Sequence, residues 1–142
     1  MIKYDIDALN VSIFHDHKPV FIRHIMLSTS YEKWEKKRSA IGTEVLKWIG
    51  EQTALEEKIS SSITEIRRIM DFYRFTMNKG EQEVGHILLT GDHPEYKVIE
   101  NKLRDAFNIA ITIFEDKSLK TIDGFRLPLH FYSSLGLAIK EV

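Results

Sequence analysis

The sequence predicts a mixed α/β fold: a five-stranded sheet in which three antiparallel strands precede a strand–helix–strand crossover, with helices against the sheet. Three observations predict it. Residues 2–27 carry three short β-prone runs separated by turn residues. Leu55, Ile59, Ile63, Ile66, Met70, Tyr73 and Met77 then hold a 3.6-residue spacing, which only a helix brings onto one face. Finally, His86–Thr90 is a short apolar run between Gly85 and Gly91. A helical stripe follows it, and then the β-branched run 108–114. Strand, helix and strand in that order close a parallel pair.

Residues 2–6 and 11–15 read as the first two strands, Val11 and Ile13 alternating with Ser12. Asp16, His17, Lys18 and Pro19 supply turn chemistry, and residues 20–27 read as the third strand. There Val20, Ile22, His24 and Met26 share one face, and Phe21, Arg23, Ile25 and Leu27 the other. Both faces are largely apolar, which predicts a central meander covered on both sides. The charged run 32–38 reads as a solvated helix face. Ile41, Val45, Trp48 and Ile49 are helically spaced, so residues 28–55 are expected to be a variable helical excursion with a break at Gly50.

In the long helix, Ser62 stands three residues before Glu65, a capping box at which the helix would restart. Asn78, Lys79 and Gly80 end it, Gly80 as the cap. His86–Thr90 has the pattern of a strand buried on both faces. Asp92 precedes Glu95 by three residues with Pro94 between, which predicts Asp92 as N-cap of the crossover helix. Tyr96, Ile99, Leu103 and Phe107 mark that helix. Residues 116–124 are loop, and a terminal helix is expected over 129–140, with small residues Ser133, Ser134, Gly136 and Ala138 on it.

At 142 residues the chain can bury a real core as a single domain. Hydrophobic residues at 43% and charged residues at 29% are ordinary for a globular protein. A net charge of −1 carries no electrostatic footprint for nucleic acid. The absence of cysteine removes disulfides, thiolate zinc sites and thiol nucleophiles, and fits a reducing compartment. No apolar run approaches the roughly 20 residues of a membrane span, so a cytoplasmic protein is expected.

Three antiparallel strands followed by two parallel ones is the order of the ribonuclease-H-like sheet, found in many nucleases and in each half of actin-like ATPases. That is an analogy of fold, and it carries no function by itself. More specific are Thr64-Glu65-Ile66-Arg67-Arg68-Ile69-Met70-Asp71-Phe72-Tyr73, Ile87-Leu88-Leu89-Thr90-Gly91-Asp92 and Leu135-Gly136-Leu137-Ala138-Ile139. With Asp5-Ile6-Asp7-Ala8-Leu9-Asn10 and Phe21-Ile22-Arg23-His24-Ile25, these runs resemble the second half of the type IV pilus assembly protein PilM family.

The resemblance implies an actin-like and FtsA-like half-fold on the inner face of the cell membrane. It further implies docking to the cytoplasmic tail of a PilN-like membrane protein in a pilus, competence or type II secretion platform. In such folds one turn holds phosphates and metal, here Asp5, Asp7 and Asn10. Another, with a helix glutamate, holds adenosine, here Gly91, Asp92 and Glu65. Asp7 stands where glycine would let backbone N–H groups approach phosphate, and its carboxylate repels a polyanion. Asp92 replaces a second glycine, and no first half precedes the first strand. Neither ATP nor Mg is therefore expected on the isolated chain; the resemblance leaves both open to an intact parent protein.

The same carboxylates support another chemistry. Asp5 or Asp7, Glu65 and Asp92 fall roughly where a ribonuclease-H-like nuclease places the ligands of two Mg²⁺ ions. Plainer readings compete: Asp92 as a cap, Asp5 and Asp7 as solvent-facing acids, Glu65 as a capping partner. His15 and His17 have metal-ligand spacing but sit in a turn without a third ligand. His24, His86, His93 and His130 have no motif, and Trp34 and Trp48 read as packing residues. The small-residue face of the terminal helix predicts a homodimer contact.

Overall fold

The elements are described in a computed structural model covering residues 1–27, 33–38, 44–114 and 122–124. A short strand β1 (Ile2–Tyr4) is followed by the hairpin β2 (Ala8–His15) and β3 (Lys18–Met26). A second hairpin, β4 (Trp34–Arg38) and β5 (Glu44–Trp48), leads into helix α1 (Gln52–Asp71). This helix runs on into a π-helical segment, Phe72–Met77. Strand β6 (His86–Thr90), helix α2 (Tyr96–Ala106) and strand β7 (Ala110–Ile113) complete the described order.

The main sheet is mixed, with order β3-β2-β1-β6-β7. β1 pairs antiparallel with β2 and parallel with β6, and β7 is parallel to β6 across the α2 crossover. Asp16 and His17, both left-handed at φ 48° and 63°, form the two-residue turn that suits the twist of a hairpin. A register shift at Ile13/Phe14 places Phe14 opposite Pro19, so the proline sits at an irregularity on an edge strand.

One apolar cluster joins the sheet to both helices. Ile2, Tyr4, Leu9 and Val11 of the first two strands meet Ile87 and Leu89 of β6, with Leu55, Ile59 and Ile66 of α1 and Ile99 and Leu103 of α2. Arg67 ties the helices together: its guanidinium donates to the Ala106 carbonyl at 2.6 Å and lies over the Phe107 ring. Glu100, buried on α2, accepts from Arg104 and Lys97. Burial opposes its charge, but those hydrogen bonds prevail and hold its carboxyl below the usual range.

Several expectations are corrected. The meander is not central: β3 is an edge strand, with Ile22 67% and Met26 69% exposed, and the three-residue β1 takes the middle. An apolar two-faced pattern marks a strand but does not rank its place in the sheet. β6 is fully buried on one face only, at Ile87 and Leu89, while His86 on the other face is exposed.

The excursion is not helical over residues 34–38 and 44–48, which are strands. Trp34 pairs with Trp48 across a β ladder, ring centroids 5.2 Å apart, and this aromatic pair overrides the helical spacing. Ser62 does not restart a helix, because α1 is unbroken there and its hydroxyl bonds to the Ile59 carbonyl at 2.6 Å. Gly80, at φ 86°, does close the helical segment, its N–H donating to the Arg74 carbonyl. The terminal helix, and Ile41 before it, lie outside the described residues.

Candidate functional site

Because β1 and β6 run parallel, their C-terminal ends reach one rim, with Lys3 beside Thr90. The chain leaves β1 through Asp5 and leaves β6 through Gly91, Asp92 and His93. At Gly91 φ is +124°, and a Cβ there would fall 2.1 Å from the Tyr4 carbonyl oxygen. Only glycine lets the two backbones pass this closely. The His93 N–H then donates to that same Tyr4 oxygen at 3.3 Å, fastening the two exits together.

The acids meet at this rim. Lys3 Nζ lies 2.7 Å from the Asp5 carboxylate, and the Asp92 carboxyl is within hydrogen-bonding reach of Asp5. Partial loss of solvent and the neighbouring Asp5 charge push the Asp92 carboxyl above its ordinary range. Two carboxyls and one ammonium therefore share the rim.

Beside them His93 is only 3% exposed. Its Nδ1 accepts from the Glu95 N–H at 3.1 Å, so the ring proton of the neutral form is on Nε2. Tyr4 and Trp34 both meet the ring edge-on, at centroid distances of 5.2 and 5.4 Å. Burial lowers the His93 pKa to about 4, against a smaller upward pull from Asp5, so the imidazole is neutral near pH 7. Behind it the Tyr4 hydroxyl lies 2.6 Å from Ser62 Oγ. Ser62 gives its own proton to Ile59, so Tyr4 is the donor.

The candidate residues thus divide. Asp5, Gly91 and Asp92 stand together, and Asp7 belongs to the same exit turn, where its carbonyl accepts from the Leu27 N–H at 2.7 Å. Asn10 is turned to the sheet surface, its Oδ1 2.7 Å from His24 Nδ1. Glu65 projects from α1 into an ion pair with Arg68 and borders a cleft of about 440 Å³ lined also by Tyr4, Leu27, Leu55, Ile59 and His93.

Asp92 is not the helix cap. α2 begins at Tyr96 with Glu95 preceding it and no side-chain cap, which leaves the Asp92 carboxyl for Asp5. Among the described residues, no three His, Asp or Glu side chains stand where they could hold a metal ion together. His15 is engaged with Asp16 at 3.4 Å.

Sequence reasoning missed Lys3 and Tyr4, and it gave His93 no chemical role. Their only signal is position: each lies within two residues of an acid at the end of a parallel strand, where side chains of such sheets converge. What the rim can do chemically is limited and clear. Among the described residues it offers carboxylates, one cation and a buried neutral imidazole. No protein-family model, curated protein or solved structure matches this chain. Among the described residues no helix is long and apolar enough to cross a membrane.

Proposed function

We propose that this chain is a PilM-like component of a type IV pilus, competence or type II secretion platform, acting through protein contacts and not by hydrolysis. Its sheet is read as ribonuclease-H-like, the form taken by half of an actin-like ATPase, and its partner as the cytoplasmic tail of a PilN-like membrane protein. The observation that supports this reading is the meeting of the Asp5 and Gly91 turns at one rim. An actin-like half requires those two turns to be neighbours, and the close passage of Gly91 over Tyr4 makes them so.

The same rim argues against catalysis. Lys3 and Asp92 occupy the Asp5 carboxylate, and acids face the place where a polyphosphate would need donors. Binding of the purified chain to a synthetic peptide of the PilN-like tail tests the proposal, with ATP titrated by calorimetry in parallel. Saturable peptide binding without measurable ATP affinity is the expected result. Absence of peptide binding would sink the pilus reading, and Mg²⁺-dependent cleavage of DNA or RNA, lost in Asp92→Asn, would replace it with the nuclease.

A further inference from the structure

The β4–β5 hairpin carries charge unlike the rest of the chain. Within it Lys36, Lys37, Arg38 and Lys47 stand against Glu35 and Glu44, a surplus of two positive charges in a protein whose net charge is −1, and Lys33 immediately precedes β4. Lys36 pairs with Glu44 at 3.7 Å and Lys37 with Glu35 at 3.6 Å, both in water-exposed positions where such pairs hold weakly. Arg38 and Lys47 are exposed and have no carboxylate partner among the described residues. Lys33 lies over the Trp48 ring instead.

The backbone is equally open. β4 and β5 form a sheet of two strands only, so each presents an outer edge with no strand along it among the described residues. Trp34 holds this sheet to the molecule through His93, and the four residues after it on β4 are all exposed. Lys36 and Arg38 lie on one face of β4 and Lys37 on the other, as the two-residue period requires.

We infer that the β4 edge docks an extended acidic peptide segment of a partner protein. Main-chain hydrogen bonds would add that segment as a third strand, and acids at alternate positions would face Lys36 and Arg38. Charge selects this partner over larger polyanions. Outside the hairpin the chain is net acidic, so a nucleic acid or an anionic membrane feels repulsion beyond the patch. A short strand feels only the charges within roughly the 8 Å screening length. The inference rests on the hairpin's charge and edge and holds with or without the pilus reading.

Fluorescence anisotropy with a labelled peptide of alternating Glu and Val tests it. Controls are the Gln/Val version, a single-stranded oligonucleotide and phosphatidylserine vesicles. The Glu/Val peptide is expected to bind most tightly and to weaken as salt rises. The Lys36→Glu/Arg38→Glu variant, checked for an unchanged fold by near-ultraviolet circular dichroism, is expected to lose about tenfold in affinity. Lys79→Glu, a charge reversal beyond the C-terminal end of α1, is expected to change nothing. Amide shifts on peptide addition should fall on residues 34–38. Equal binding of the Gln/Val peptide, tighter binding of oligonucleotide or vesicles, no binding at low salt, or shifts elsewhere would each overturn the inference. Because none of these probes comes from a pilus protein, the outcome is separable from that of the tail-peptide experiment.

Discussion

At Gly91 the backbone takes φ +124° with the Tyr4 carbonyl where a Cβ would be, so two penalties fall on one substitution. Gly91→Ala must both strain the backbone and separate β1 from β6. It is expected to cost roughly 3 kcal/mol in urea unfolding, or to prevent folding. His93 carries a second residue-scale expectation. Its pKa falls from 6.5 to about 4 on folding, so between those values the unfolded chain binds more protons than the folded one. Stability from this residue is therefore fully present above pH 6.5 and is lost as pH falls toward 4, by about 3 kcal/mol in total. Asp92 has the opposite sign. Its raised carboxyl takes up a proton on folding, so its contribution is present at low pH and fades as pH rises through the raised pKa. Urea midpoints across pH 4 to 7 should fall steeply with acid in the parent and more gently in His93→Phe, which keeps an aromatic ring against Tyr4 and Trp34.

The hairpin shows why some elements were legible and this one was not. α1 was read correctly from its stripe because Leu55, Ile59, Ile63 and Ile66 are all buried, and the helix that the period requires is the one that packs. The 34–48 stretch carries a helical spacing too, but a distant aromatic contact outweighs it. Trp34, 7% exposed, sits between Trp48 and His93, and burying it needs the extended form. No local propensity announces a partner contributed by residue 93. The capping reading of Asp92 failed for the same kind of reason, since the residue's neighbour in space is Asp5 and not the helix. The acids were visible as residues; their meeting was expected only from the analogy with the ribonuclease-H-like sheet, and it depends on the parallel pairing of β1 and β6. If Trp34 is what holds the hairpin down, Trp34→Ala removes about 3 kcal/mol of packing and detaches the hairpin selectively. Circular dichroism of α1 and the dispersion of β1 and β6 amide signals should survive that change, while Trp48 fluorescence shifts to longer wavelength.

At the scale of the molecule, two sheets are joined through a small aromatic contact, and their stabilities need not be equal. The five-stranded sheet shares one core with α1 and α2, in which Leu9, Ile66, Leu89, Ile99 and Leu103 are all completely buried. The two-stranded sheet contributes only Trp34 and Trp48 to that core as buried side chains, and its backbone pairs nowhere else among the described residues. A two-stranded ribbon is marginal by itself in water, so the hairpin's protection can come only from its docking. Local opening should then separate the chain into two cooperative units. Native-state hydrogen exchange is expected to show β1, β6 and the middle of α1 opening only with global unfolding, whereas the β4 and β5 amides exchange at a lower free energy with little dependence on denaturant. Acid should widen the gap, because protonating His93 weakens the ring contacts that hold Trp34 before it reaches the main core. A single exchange free energy shared by all strands, at pH 7 and pH 5 alike, would show that the hairpin is integral to the core and that its edge is not held apart for a partner.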